Sequence, residues 1–208
     1  MRTSKKEQTR EKIQQAAYQC VARYGFEKTT LDDIAREVNL NKASLYYYYK
    51  NKEDIFLDVT TTATRRFVES LQASTLEIPG GPAAQIRHYL LERSFYFIRL
   101  VADVHISEET LRQVEPRFQD LVRDVAEREV AFLAERIAAA KAAGEVTTPN
   151  AGRLAANLIT LAEGIKEKAK AQAAGEVRDQ SSIMADIREN LEFMLAMILR
   201  CSSPSQDA

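Results

Sequence analysis

Tryptophan is absent from the chain, and its 208 residues include only seven glycines, five prolines, two cysteines and two histidines. So few helix breakers leave long segments whose apolar residues recur every three or four positions instead of alternating, and the expected fold is all-α. Cys20 and Cys201 lie near opposite ends, outside any C-x-x-C or Cys/His cluster. That spacing excludes a zinc or redox motif and leaves two reduced structural thiols. His88 and His105 have no HExxH, Ser-His-Asp or carboxylate–metal pattern about them, and no glycine-rich phosphate loop occurs. No catalytic residue, metal or cofactor is therefore expected. The opening MRTSKKEQTREK lacks an apolar core, and no apolar run approaches the roughly eighteen residues of a membrane span. The expected location is cytoplasmic, with no membrane partner.

What is present is unevenly distributed. The net charge of −1 divides into eleven Lys/Arg against six Asp/Glu over residues 1–52, and eighteen against twenty-four over residues 53–208. A small basic module on an acidic body is the simplest reading. Breaks at Gly25, Asn39, residues 77–82, residues 104–107, Pro116, residues 144–150 and Gly175 leave room for about nine helices. The Ser-rich tail after Arg200 is expected to fray.

The first helix carries Ile13, Ala16, Ala17, Cys20, Val21 and Tyr24 on one face, with Gly25 as a left-handed stop and Phe26 packing back. Thr30 has the chemistry to cap a short second helix with Asp33 as its capping-box acid, burying Leu31, Ile34, Ala35 and Val38. After a turn at residues 39–41, Asn41 caps a third helix and Asn51 with Asp54 a fourth. Two short helices joined by a tight turn beneath a longer one make helix-turn-helix geometry.

Four of the eight tyrosines stand in a row on the third helix, Tyr46 to Tyr49. Leu45, Tyr48 and Tyr49 share one face, which leaves Tyr46 and Tyr47 pointing outward beside Lys42, Ala43 and Ser44. A phenol can donate to a phosphate while its ring fills space against a sugar. Lys42 can reach a guanine or a phosphate, Ser44 a base edge or a phosphate, and Ala43 a thymine methyl. A plain aromatic packing cluster or a protein-binding patch are the competing readings.

Residues 29–56, TTLDDIAREVNLNKASLYYYYKNKEDIF, closely resemble the DNA-binding region of the TetR family of one-component bacterial repressors. That family's characteristic run is a threonine, an I-A helix, a glycine-containing turn, L-Y-x-H/Y-F and K-N/S-K-E-E-L; residues 9–58 fit it. Three positions depart: Asn39 replaces the turn glycine, Tyr48 stands where histidine is common, and Tyr49 where phenylalanine is usual. Asn tolerates a left-handed turn. The extra hydroxyl of Tyr49 needs a partner if it is buried. The resemblance implies an N-terminal three-helix helix-turn-helix DNA-binding domain over 1–51 and a C-terminal helical ligand-binding and dimerisation domain over 52–208. It further implies that Thr30 and Lys52 bind phosphates, that Tyr46 and Tyr47 clamp the backbone, and that Lys42, Ala43 and Ser44 approach bases. Lys5, Lys6 and Arg10, ahead of the first helix, could add contacts or form a disordered basic arm.

In the body, residues 83–102 are apolar around most of a helix. Gln85, His88, Glu92, Tyr96, Arg99 and Asp103 form a polar stripe along it that faces either solvent or a ligand cavity. A helix from Pro116 to about Ala143 turns Phe118, Leu121, Val122, Val125, Phe132, Leu133 and Ile137 inward, with its charges opposite. The last two helices carry Leu154, Leu158, Leu161 and Ile165, then Ile183, Ile187, Leu191, Met194, Leu195 and Ile198, and the stripe around Phe193 to Leu199 is too wide for one buried side. The resemblance implies that these two helices pair with their copies in a homodimer, and the excess apolar surface agrees.

The implied function is a repressor that binds a palindromic double-stranded operator as a dimer and is released by a small hydrophobic effector. Phe67, Tyr89 and Tyr96 are candidate pocket walls between the fourth helix and residues 83–102, and the fourth helix links pocket to DNA head. An activator, an effector-free DNA binder and, more remotely, an all-helical enzyme are the alternatives.

Overall fold

Ser4 and Glu7 start the first helix: each side chain accepts the other residue's backbone N–H, the reciprocal capping box. This start lies earlier than the basic residues, so Lys5, Lys6 and Arg10 belong to α1 (Lys5–Tyr24) and form no arm ahead of it. The computed structural model describes residues 4–104, 108–175 and 179–199. Cys201, His105 and the side chain of Asp103 lie outside the described residues.

Among the described residues there are nine helices and no strand, only a single bridge between Val146 and Leu199. After α1 come α2 (Leu31–Glu37), α3 (Lys42–Tyr48), α4 (Lys52–Leu76) and α5 (Gly81–Val104). They are followed by α6 (Glu108–Leu121), α7 (Arg123–Ala142), α8 (Ala151–Gly175) and α9 (Gln180–Ile198). Pro116 lies inside α6 and does not begin a helix, because a proline removes only its own N–H and the flanking backbone bonds carry the turn. The expected single helix over 116–143 is therefore two, broken at Val122. Leu121 is 44 % exposed and does not face inward. Helix α7 ends at Gly144 (φ 76), where the Glu145 N–H returns to the Ala140 carbonyl at 2.8 Å.

The described residues fall into two compact units. The first runs to Arg66 and adds Leu100–Arg123; the second comprises Phe67–Arg99 and everything described from Asp124 onward. The first unit extends past residue 51 because α6 is tied to the start of α4. Arg117 donates to Asp54 at 2.6 Å, and Arg65 donates to the Leu121 carbonyl at 2.8 Å.

Ile13, Ala16, Ala17, Cys20, Ile34, Ala35, Leu45, Tyr49 and Ile55 form the core where α1 to α4 meet. Cys20 carries no disulfide, and burial pushes its thiol above the ordinary range. Tyr24 is 49 % exposed, off the buried face it was expected to share. The backbone turns away one residue later at Gly25, whose φ of 80° and ψ of 157° lie outside the left-handed helical region, in a conformation nearly restricted to glycine. Phe26 then packs inward at 1 % exposure. The second unit's core is built from α5, α7, α8 and α9, with Ile86, Tyr89, Leu90, Leu133, Ile137, Ala155, Ala162 and Ile187 all fully buried.

Candidate nucleic-acid interface

Three short-range caps fix where α2, α3 and α4 begin. Thr30 accepts from the Asp33 N–H at 3.2 Å and donates its hydroxyl to Asp33 Oδ2 at 2.6 Å, while Asp33 accepts the Thr30 N–H at 3.0 Å. Those bonds hold the Asp33 carboxyl below its usual range. Asn39 takes the positive φ (54°) of the turn. Asn41 accepts from the Ser44 N–H at 2.7 Å, and Asn51 from the Asp54 N–H at 2.7 Å. Each is a side chain satisfying an orphan donor at a helix start.

With its start fixed, α3 divides by face. Leu45 is fully buried and Tyr49 is 5 % exposed, whereas Tyr46 is 48 % and Tyr47 72 % exposed. Lys42 and Ala43 are exposed beside them, and Ser44 is half-buried. The Tyr47 ring stands edge-on to Tyr48 at 5.3 Å, with the Lys6 ammonium 5.5 Å above its face. Two lysines already have partners in the protein. Lys42 Nζ donates to Asp32 on α2 at 3.0 Å, a bond that raises its pKa. Lys52 Nζ donates to the carbonyls of Phe26 and Glu27, both at 3.0 Å.

The hydroxyl of Tyr49 meets a partner that the sequence pattern did not name. It donates to Asp58 on α4, whose same oxygen accepts from Arg10 Nε and from Gln14, each at 2.7 Å. Arg10 also donates to the Tyr49 hydroxyl at 3.2 Å. Burial would raise the Asp58 pKa, but hydrogen bonds from Arg10, Tyr49 and Gln14 outweigh it and hold the carboxyl below its usual range. One carboxylate thus joins α1, the end of α3 and α4. Arg10 is committed here. The only signal in the sequence was the surplus hydroxyl itself.

In the second unit, Phe67 and Tyr96 stack at 3.7 Å and 6°. Tyr89 is fully buried, its hydroxyl donating to Glu129 Oε1 at 2.9 Å and its ring 5.0 Å from Phe132. Sequence reasoning missed the charges below it. Arg93 donates to Glu129 at 2.8 Å and to Glu163 at 2.5 Å, and Lys166 pairs with Glu163. Of the residues expected at a dimer face, Leu158, Leu191 and Leu195 point into the unit's own core at 2 % exposure or less. Leu161, Ile165, Met194 and Ile198 are half-buried, while Phe193 (66 %) and Met197 (62 %) are the outward apolar residues of α9. The polar stripe of α5 is half-buried at Gln85, His88, Glu92 and Tyr96, and exposed at Arg99.

Residues 13–59, from within α1 to the first part of α4, match the family model described as bacterial regulatory proteins, tetR family. Over those residues the chain is similar to the tetR family of bacterial regulatory proteins. Over 62 residues it is 40 % identical to the biofilm operon icaADBC HTH-type negative transcriptional regulator IcaR of Staphylococcus epidermidis, covering 30 % of this chain and 34 % of that protein. The alignment thus spans about a third of the curated relative's length. A transcriptional regulator from Cytophaga hutchinsonii superposes with a TM-score of 0.72 at 24 % identity, over 91 % of this chain and 97 % of that one. A regulator from Saccharomonospora viridis, solved in complex with choline, gives 0.62 at 23 % identity over 92 % and 98 %. These likenesses run over most of the chain and show a shared fold. Among the described residues, no helix is long and apolar enough to cross a membrane.

Proposed function

We propose that this protein is a transcriptional repressor that binds a palindromic operator as a homodimer and is released by a small hydrophobic effector. The observation that carries the DNA part is the division of α3: Leu45 and Tyr49 anchor it from below while Tyr46 and Tyr47 stay exposed above. Two phenols, with Lys42 and Ala43 beside them, form a surface suited to phosphate and major-groove contact. Thr30 and Lys52 flank it as phosphate contacts, and Ser44 is the third base-reading candidate. The repressor sign follows the negative regulator IcaR, whose resemblance covers 62 residues of this chain.

Dimerisation rests on the outward face of α8 and α9. Phe193 and Met197 would centre it, with Met194, Ile198, Leu161 and Ile165 completing their half-burial against a second copy; Leu158, Leu191 and Leu195 would support it from beneath. For the effector, the Phe67–Tyr96 stack is a flat aromatic surface that a small apolar molecule could part, with Tyr89 behind it. Because α4 is one continuous helix from Lys52 to Leu76, displacement at Phe67 is carried along it toward Lys52.

Selection of duplexes from a random-sequence pool by the full-length protein tests the reading. Inverted repeats with half-sites one helical turn apart, about 34–36 Å, are expected, bound by a species that sediments as a dimer. Enrichment of single, unrepeated sites by a monomer would remove the proposal.

A further inference from the structure

Within the first unit, Ala17, Val21, Phe26, Phe56, Val59 and Ala63 wall a cavity of about 70 Å³ between α1 and α4. Its lining is almost wholly apolar, and the Phe26 and Phe56 rings in its wall pack edge-on at 5.1 Å. An apolar void of roughly 150 Å³ holds a benzene molecule, so this one, about half that size, takes something thinner than a ring. A few methylenes in a row fit.

Lys52 also lines this cavity, and its ammonium lies 4.6 Å over the face of Phe26. Its two hydrogen-bond partners, the carbonyls of Phe26 and Glu27, are neutral. Among the described residues no carboxylate pairs with it, although an ammonium carries three N–H donors. An apolar slot with a single cation lacking an anionic partner has a matching ligand class. We propose that this cavity binds a short-chain monocarboxylate, its alkyl tail between α1 and α4 and its carboxylate on Lys52. The site belongs to the DNA-reading unit and is distinct from the effector surface at Phe67 and Tyr96.

Calorimetry on the intact protein with acetate, butyrate, hexanoate, decanoate and neutral hexanol tests it. Binding should tighten about fourfold per methylene, the gain for burying one CH₂, and then level off once the slot is full. Hexanol should bind about tenfold more weakly than hexanoate, the scale of a charge-assisted hydrogen bond. Ala63→Leu fills the cavity from α4 and should abolish binding. Lys52→Gln should retain the chain-length dependence and erase the preference for hexanoate over hexanol, which decides the matter even if Ala63→Leu fails to fold. Undiminished hexanoate binding by folded Ala63→Leu would locate the acid elsewhere and overturn the site, as would equal affinities for hexanoate and hexanol or no binding by any acid. Because Lys52 is also the phosphate contact proposed above, hexanoate should weaken binding to a DNA duplex. Hexanoate binding that leaves DNA affinity untouched supports this site and counts instead against the phosphate role of Lys52.

Discussion

Two polar clusters hold helices together in this protein, one in each unit, and they differ in exposure. Around Asp58, three donors converge on one carboxylate at the rim of the reading head, with Arg10 still 53 % exposed and Asp58 19 %. Around Arg93, a guanidinium lies between two carboxylates at 7 % exposure, with Glu129 at 5 %. Water can stand in for a missing partner in the first cluster. In the second, water reaches Glu163 (36 % exposed) but not the Arg93–Glu129 pair, so removing one charge of that pair leaves the other buried and uncompensated. The same chemistry therefore acts as an adjustable clasp in the DNA-reading unit and as an all-or-none strut in the body.

The largest effect is expected at the strut. Arg93→Met should cost about 3–5 kcal/mol in urea unfolding, because the buried Glu129 carboxylate loses its cation and keeps only the Tyr89 hydroxyl as a donor. Adding Glu129→Gln should restore part of that loss by removing the stranded charge. A single mutant as stable as the parent would show that solvent reaches the cluster and would erase the contrast.

Tyr49→Phe is the corresponding change at the clasp, and it restores the ring usual in the family. Asp58 keeps Arg10 and Gln14, so the expected loss is about 1.5 kcal/mol, the low end for one hydrogen bond to a charged group. Tyr49→Ala, which also deletes the buried ring, should cost about 3–5 kcal/mol. Near-equal losses for the two would mean that the hydroxyl, not the packing, holds α3 down.

Acid should separate the clusters more gently. Asp58 and Glu163 both titrate below the usual carboxylate range in the fold, Asp58 through its hydrogen bonds and Glu163 through the charges of Arg93 and Lys166, each against the opposing effect of burial. A depressed carboxylate contributes stability that is complete above its unfolded pKa and is lost as pH falls through the folded one. Stability should therefore be flat near neutrality and decline below the ordinary carboxylate range. Asp58→Asn should remove one component of that decline while leaving the component from Glu163. An unaltered acid limb in Asp58→Asn would indicate that the clasp is already open in solution.

The difference between the clusters also explains what the sequence made legible. The reading head is written in local rules: Thr30 with Asp33, Asn41 with Ser44 and Asn51 with Asp54 are contacts three residues apart, and Leu45 and Tyr49 share a face by helical period. The chain pattern displays such features directly. Arg10 and Asp58 are 48 residues apart, and Arg93 and Glu163 are 70, so no periodicity connects them. Glu129 read as one of many charges on an amphipathic helix until α5 was seen to bring Arg93 against it. For the same reason, Leu158, Leu191 and Leu195 could not be told from Phe193 and Met197 by type or spacing alone, since a wide stripe does not reveal which edge meets the chain's own core.

The smallest effect on stability, and the sharpest separation of roles, is expected on the outer face of α3. Tyr47 is mostly exposed, so Tyr47→Phe should leave the unfolding free energy within about 0.5 kcal/mol of the parent. If the hydroxyl donates to a phosphate, affinity should nevertheless fall for every duplex tested, by about 0.5–1.5 kcal/mol per hydrogen bond and without a change in base preference. The slope of log affinity against log salt should stay constant, because a neutral donor releases no counterion. Lys52→Gln should instead make that slope shallower by about one for each phosphate the lysine had neutralised. Competition binding over a range of salt, with duplexes of differing sequence, reads both quantities. A Tyr47→Phe protein that binds with parental affinity confines this ring to packing, and one that changes which bases are preferred moves it from the backbone to the groove.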